Sequence, residues 1–417
     1  MGVNPEFCLS KKSIMSLPSV QSRNVETKEG FTHLPFYLVR ILSMATFLVF
    51  VQGFMVAPIL PHLSLIFRVS VQYTSFIEPS YLLGYGSVTL IYASVSDRYG
   101  RFPVILFSLC CFIALTFFTG FVHSADQMIV LRLLTGLGAG GIAPTTIGWI
   151  GDQFPYEKRG HALGIFFGCM AGGTAFGSFA GALLEPVIGW RGLFFLVAGL
   201  GFVILFLILY YQKYFRLQKE DSKDSFSVLF GAIKEIMSLA RSWRTYLYVM
   251  FNGMFHSGVF TWLGYLFFKS FHLGETGIGL ALLGYGIPGF LLGPIIGKMA
   301  DRYGRNKIIP IGLLSGGVSA VLLGLNLPLV TSNLLVATLS LGFDMTHPLF
   351  AAITTTFSPK KGASTGLFAF FLFMGYGLGS LLFSLIVKSG LNQTFILFGG
   401  AALLAAFLSV WVFRNEK

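Results

Sequence analysis

Charge is what this sequence lacks most. Asp, Glu, Lys and Arg make up 11% of its 417 residues, against 54% hydrophobic residues. Soluble domains run near a quarter charged, so an ordinary soluble fold is excluded. Cysteine is also sparse. Cys8, Cys110, Cys111 and Cys169 are too few and too scattered for a disulfide framework, and the last three lie in apolar runs where they read as packing residues. No glycine-rich phosphate loop is present, which removes ATP as a direct energy source. No HxxxH or CxxC spacing occurs, so neither a metal nor another cofactor is expected. No Ser/His/Asp order and no glycosidase-like carboxylate pair points to an enzyme. Residues 1–30 lack the apolar stretch of a secretory signal, and Glu6 stands where a myristoylation motif needs Ser or Thr. They are expected to form a poorly ordered cytoplasmic tail.

What the sequence has instead is long apolar runs. A helix crossing about 30 Å of hydrocarbon needs about 20 mostly apolar residues. Twelve such stretches can be drawn: 36–62, 73–95, 103–123, 127–150, 161–184, 191–211, 244–268, 276–299, 306–326, 331–357, 362–387 and 392–413. The expected fold is an all-α membrane protein with twelve transmembrane helices in two six-helix bundles, residues 31–211 and 244–417. Between them lies a polar linker, 212–243, containing "KEDSKDS". Within it Phe226, Leu229, Phe230, Ile233, Met237 and Ala240 recur at helical spacing, which predicts an amphipathic helix on the membrane surface.

The formal charge of +12 could suggest a nucleic-acid partner, but its distribution argues against one. With the N-terminus inside, Arg68, Arg191, Lys269 and Lys388 fall outside and Arg132 falls within a span. The other 24 of 29 basic residues are cytoplasmic. The excess is therefore a topology signal, with both termini in the cytoplasm. The bilayer is the expected macromolecular surroundings, and a monomer the expected state.

The two halves repeat. "DRYGR" occurs at 97–101 and 301–305, and "LLGYG" at 82–86 and 282–286. "RGHALG" at 159–164 matches "KGASTG" at 361–366, and Gly177–Ser178 matches Gly379–Ser380. All offsets lie between 200 and 204 residues. Two parallel repeats of six spans are a transporter architecture. Gly100 and Gly304 permit a tight left-handed turn, and Arg98, Arg101, Arg302 and Arg305 hold those turns in the cytoplasm. Asp97 and Asp301 sit at helix ends, where a carboxylate can meet the N-terminus of another helix.

Over residues 36–413 the chain resembles the major facilitator superfamily. Beside the paired DRYGR loops, "RLLTGLGAGGIAP" at 132–144 is similar to the superfamily's span-four motif, and "GDQFPYEKRG" at 151–160 to the charged end of that span. "VAPILPHL" at 56–63 and "GWRGLFF" at 189–195 resemble its drug:proton antiporter branch. Ala93 replaces the glycine that usually precedes the first loop, Ser178 falls where Gly-Pro is expected in span five, and span one has no acid. The resemblance implies a proton-coupled secondary transporter that exports amphipathic small molecules across a bacterial cytoplasmic membrane by alternating access. The alternatives are a proton-coupled importer of a nutrient or siderophore-like molecule, which the missing Gly-Pro favours slightly, and a sensor that binds without transporting. The resemblance also implies a conformational latch of Asp97, Arg98, Gly100, Arg101, Asp152, Asp301, Arg302, Gly304 and Arg305. Asp97 would meet the start of span eleven near Gly362, and Asp152 would meet Arg98 or Arg101.

Ionisable groups in hydrocarbon cost about 2.5–3.5 kcal/mol each on insertion scales, so they are expected to face the protein interior. Glu78 and Arg132 lie at equal depth, roughly 8–9 Å from one surface, and are expected to pair. Asp344 and His347 share a face of span ten, while His256 and Asn252 share a face of span seven. Spans seven and ten line the central cavity in the superfamily. The expected site is therefore Asp344, His347, His256 and Asn252 around substrate and proton, with Arg132 and Glu78 in support. Glycines at 136, 138, 140 and 141 crowd span four, and those at 164, 168, 172, 173, 177 and 181 give span five a small-residue stripe, each expected to allow close backbone approach. In the superfamily spans five and eight meet between the halves, so sliding contact is expected there.

Overall fold

The computed structural model describes residues 34–154, 156–216, 226–357 and 361–416. Among them all regular structure is helical. The first third of the chain forms α1 (Leu34–Phe54), a 3-10 turn (Ala57–Ile59), α2 (Leu60–Phe67), α3 (Val71–Thr74), α4 (Ile77–Tyr99), α5 (Arg101–Thr119), α6 (Ala125–Ala139) and α7 (Ile142–Gln153). The middle forms α8 (Tyr156–Tyr210), α9 (Gln212–Arg216), α10 (Phe226–Ser238) and α11 (Ala240–Phe271). Then come α12 (Glu275–Leu282), a 3-10 turn (Leu283–Tyr285), α13 (Ile287–Tyr303), α14 (Arg305–Leu323), α15 (Leu329–Thr354), α16 (Lys361–Ile386), a 3-10 turn (Val387–Ser389) and α17 (Leu391–Val412). Residues 1–30, and residues 217–225 of the linker, lie outside the described chain.

Eight helical segments among the described residues are long and apolar enough to cross a membrane. One of them, Ala162–Tyr210, lies within α8, whose 55 residues would run about 80 Å if straight. It is not straight. Gly173 packs on Phe47 and Gly201 packs on Leu48, so the chain doubles back between them. The reversal is at Gly189, with φ +71° and ψ +162°. Two expected spans therefore share this segment. α4 and α11, of 23 and 32 residues, also have the length to cross.

Among the described residues four glycines have positive φ: Gly100 (+96°), Gly189 (+71°), Gly304 (+92°) and Gly390 (+129°). They fall as two equivalent pairs, 204 and 201 residues apart. Gly100 and Gly304 also share ψ, at +153° and +144°. The expected left-handed turn is thus an extended positive-φ turn, which side chains on Cβ still disfavour. Each of these two glycines donates its N–H to the carbonyl four residues back, Ser96 or Ala300, at 3.0 and 2.9 Å.

Other breaks follow from proline and glycine. Span one stops at Phe54 and restarts through Pro58 and Pro61, whose missing N–H groups fall in first turns where no helical acceptor is needed. Span four breaks at Gly140–Gly141, between α6 and α7. Span eight breaks inside its copy of LLGYG, between α12 and α13, although the first copy continues unbroken through α4.

The glycine stripes do different work from that expected. Gly173, Gly177 and Gly181 of α8 pack against the backbone of Phe47, Val51 and Met55 in the span-one segment. Contact with the eighth span comes through Ala175, against Gly286, and Ala182, against Gly279. Gly84 and Gly136 bring α4 and α6 together, each touching a backbone carbonyl of the other helix. In the linker helix, Ala232 and Ile236 are buried and Ile233 and Met237 partly so. The side chains of Phe226, Leu229 and Phe230 lie outside the described residues. Cys110 is exposed on α5 and is not a packing residue.

At the end of the molecule that carries the DRYGR turns, Glu416 acts as a clasp. Its carboxylate accepts from Arg241 at 2.7 and 2.6 Å and lies 3.5 Å from Arg244, both at the start of α11. Its carbonyl accepts from Asn306 N at 2.8 Å, beside the second DRYGR turn. The Arg241 hydrogen bonds hold the Glu416 carboxyl below the usual carboxylate range. A depressed acid stabilises the folded state above its unfolded pKa and loses that contribution as pH falls. Glu416→Gln is expected to cost about 1 kcal/mol near neutral pH. Thermal unfolding in detergent should show a gap between wild type and variant that closes as the medium is acidified through the carboxylate range.

Candidate functional site

Two polar clusters lie inside the helices. The first is built on Arg132 of α6, which is fully buried. The Gly84–Gly136 crossing lays α6 against α4, and the early end of α1 leaves carbonyls without helical donors. Arg132 fills them. Nη1 donates to the carbonyl and side-chain oxygens of Gln52 at 2.9 and 2.7 Å, and Nη2 donates to the Gly53 carbonyl at 2.9 Å. Nε donates to the Ile77 carbonyl at 3.4 Å, and the guanidinium lies 4.3 Å from the Tyr81 ring centre. The Tyr81 hydroxyl in turn donates to the Val49 carbonyl at 3.0 Å.

The expected Glu78–Arg132 ion pair does not form: no contact within ion-pair distance joins them. Glu78 is fully buried, and neither carboxyl oxygen has a hydrogen bond of good geometry. Arg132 and Thr261 act on it, so the carboxyl stands between α4 and α11. Arg132 already has three backbone carbonyls from two stretches of chain as acceptors, and Gln52 takes the place that an acid in span one would have had.

The second cluster is where α11, the 3-10 turn at 283–285, α15 and α16 meet. His256 of α11 is buried and stacks on Phe343 of α15, ring centres 3.9 Å apart. Tyr376 of α16 stacks on its ring at 5.4 Å. The Tyr285 hydroxyl contacts Nδ1 of His256 and lies 3.2 Å from Nε2. His347 also stacks on Phe343, at 5.1 Å, and reaches Phe368 at 5.3 Å. The result is a column of rings in which two imidazoles alternate with aromatic faces. Asp344 Oδ2 lies 3.1 Å from Ser340 Oγ. It makes no hydrogen bond to either imidazole among the described residues. Asn252 accepts from Thr346 Oγ1 at 3.1 Å through Oδ1, and its buried Nδ2 has no partner.

Backbone chemistry explains this placement. Pro348 cannot donate to the carbonyl of residue 344, so α15 is loosened at Asp344. The break at Leu283–Tyr285 likewise frees the Tyr285 carbonyl, which accepts from Ser340 Oγ at 2.7 Å. Sequence reasoning missed Gln52, Tyr285 and Tyr376. Tyr285 had a signal, since it sits in a repeated string, but aromatic residues are too common here to single one out.

The DRYGR residues form a third group. Arg101 contacts Asp97, donates to Asp152 Oδ2 at 3.0 Å through Nε and to Ser96 Oγ at 2.6 Å through Nη1. Of the two arginines considered for Asp152, Arg101 is the one it meets. Arg98 and Arg302 are exposed and lie over Tyr99 and Tyr303, at 5.4 and 5.3 Å. Arg305 opens α14 and is half-buried. The Asp301 side chain, and the approach of Asp97 to the helix start near Gly362, lie outside the described residues.

A fourth group was not expected at all. At the opposite end of the molecule, His62 of α2 meets Glu185 of α8 and Glu275 of α12, its Nδ1 lying 2.8 and 3.7 Å from their carboxylates.

A family model described as Major Facilitator Superfamily matches residues 42–274 and again 245–417. The chain belongs to the Major Facilitator Superfamily. Among its relatives in this superfamily, an uncharacterized MFS-type transporter, YwfA, of Bacillus subtilis is 28% identical over 92% of this chain and 91% of its own. Multidrug resistance protein 3 of the same organism is 29% identical over 41% of this chain and 34% of its own. The 4-hydroxybenzoate transporter PcaK of Pseudomonas aeruginosa is 26% identical over 84% of this chain and 86% of its own. The fold matches a bacterial homologue of the human lysosomal transporter Spinster, solved inward-facing and unoccupied, with TM-score 0.74, 15% identity and coverage of 92% and 98%. As a superfamily member the chain is a multi-pass transporter of helical build.

Arg132→Lys tests the first cluster. An ammonium lacks the flat fork that reaches acceptors on both the Gln52–Gly53 and the Ile77 segments. The substitution is expected to cost about 2–3 kcal/mol, because buried carbonyls are left unpaired. Thermal unfolding of the purified protein in detergent measures this, and Arg98→Lys on the exposed turn should change it little.

Proposed function

We propose that this protein is a proton-driven exporter of amphipathic cations, moving them by alternating access to a site at mid-membrane. In this reading twelve helices cross a bacterial cytoplasmic membrane as two six-helix bundles, 31–211 and 244–417. The linker 212–243 and both DRYGR turns are cytoplasmic, and the chain works as a monomer. The observation that carries the reading is Asp344 beside the His256–Phe343–His347 column. Aromatic faces attract a cation, and a carboxylate completes the attraction. One carboxyl can hold a proton or balance a cationic substrate, and the exchange of one for the other is antiport. His256, His347 and Asn252 shape the pocket around it, while Glu78 and Arg132 belong to the supporting wall. Relatives named as multidrug resistance proteins support export.

The contacts favour a state closed on the outside. Gln72 donates to the Ser384 carbonyl and Ser75 Oγ to Ser384 Oγ, both at 2.7 Å, joining the halves at the outer end. Ala182 against Gly279 does the same on the other side. Toward the DRYGR end, Gly164 and Gly168 of α8 face open space. Arg101 with Asp97 and Asp152 then serves as part of the inner latch.

A second reading, proton-coupled import of an aromatic acid, is favoured by PcaK, which matches most of the chain, and by the two imidazoles as anion partners. Proteoliposomes with an imposed proton gradient separate the two. Export predicts proton release driven by a lipophilic fluorescent cation. Import predicts co-uptake of 4-hydroxybenzoate and protons, and a sensor predicts binding without flux. Asp344→Asn is expected to abolish proton-linked transport while leaving cation binding within about tenfold; unchanged pH-dependent transport by this variant would overturn the reading. Asp97→Asn should loosen Arg101 and raise the labelling of cysteines placed near the inner ends of α4 and α7, whereas unaltered labelling would leave the loop with anchoring alone.

A further inference from the structure

The His62, Glu185 and Glu275 group has no part in the fold or the site described above. It draws one ligand-bearing side chain from each of three elements: α2, α8 and α12. One ligand atom from each lies within 4.8 Å of the other two. Glu185 is 97% buried, its side chain only 3% exposed, while His62 and Glu275 are each 36% exposed. The charged groups acting on Glu185 are His62 and Glu275. Two carboxylates thus share one imidazole, with a net charge of −2 when the ring is neutral and −1 when it is protonated. Like charges held this close repel, and one of them cannot escape into solvent.

The His62 Nδ1 atom is itself shielded from solvent. It lies 2.8 Å from Glu185 Oε1, but without the alignment of a hydrogen bond. Zn–N and Zn–O bonds are about 2.0–2.2 Å, so ligand atoms in a tetrahedral site stand roughly 3.4 Å apart. The Nδ1–Glu275 distance of 3.7 Å is already near that value. The Nδ1–Glu185 distance would have to open by about half an ångström, well within a side-chain rotation. Imidazole and carboxylates together are a donor set for Zn²⁺.

We propose that His62, Glu185 and Glu275 form a zinc-binding site that joins the two halves of the chain at the end opposite the DRYGR turns. His62 and Glu185 come from the first half and Glu275 from the second. The ion can be held by all three ligands only while α12 lies against α8, so bound zinc pins that end shut. The binding site stands on the geometry alone. The pinning rests on the alternating-access reading.

Zinc binding to the purified full chain in detergent tests the site, with titration calorimetry as the readout. One zinc per chain is expected. His62→Asn and Glu275→Gln are each expected to weaken binding at least about tenfold. Glu275→Gln changes a half-exposed residue at a helix start, so its thermal unfolding should match wild type and exclude misfolding as the cause. Stoichiometric zinc binding that both variants retain, or no binding by wild type, would overturn the proposal. Hydrogen exchange tests the pinning: zinc should slow exchange in α2 and at the start of α12 together, and not in Glu275→Gln. A chain that binds zinc at this triad but moves no substrate keeps the site and loses the transport reading. A chain that transports and ignores zinc does the reverse.

Discussion

A buried guanidinium and a helix that ends early hold the first half of this protein together. α1 stops inside the apolar layer, which strands the Gln52 and Gly53 carbonyls where water cannot reach them. A stranded carbonyl in hydrocarbon is as costly as a stranded donor. Arg132 supplies the missing N–H groups and receives acceptors for its own, so two separately unfavourable features cancel. The cancellation needs α6 close to α4, which Gly84 and Gly136 allow. It also fixes Tyr81 over the guanidinium and, through its hydroxyl, over Val49. The glycines, the helix break and the charge are one device.

The second half departs from the first at the same register. Tyr85 and Tyr285 are equivalent residues of LLGYG. Tyr85 stays on an intact helix and packs edge-on against Phe373, centres 4.6 Å apart. Tyr285 sits on a broken helix and turns its hydroxyl to His256. The ionisable chemistry has the same bias: His256, Asp344 and His347 belong to the second half, and the arginine that ties backbone to backbone belongs to the first. Duplication supplied the frame, and the copies then divided structural and chemical work.

How much of this could be read from the sequence depended on the range of the signal. Apolar runs and the DRYGR strings are local, and they located most helices and both glycine turns. The placing of Asp344 and His347 one turn apart on α15 was legible because helical spacing is also local. The Glu78–Arg132 pairing failed because equal depth does not specify direction, and the competing acceptors on Gln52 and Gly53 arise only from the end of another helix. The small-residue stripe of α8 was visible, but its facing was not: glycines at 173, 177 and 181 touch the span-one segment, and Ala175 and Ala182 touch the eighth span. The His62 triad left no trace in the sequence, since its members come from three distant segments.

The interruption at Leu283–Tyr285 has a mechanical consequence. An intact rod transmits bending along its whole length, but one cut at its midpoint behaves as two levers with a compliant joint. The upper lever, α12, is anchored through Gly279 to α8. The lower lever, α13, carries the second charged turn. Torque applied at the end that carries the DRYGR turns is therefore absorbed at the joint, next to the ring column, and does not prise α12 from its seat.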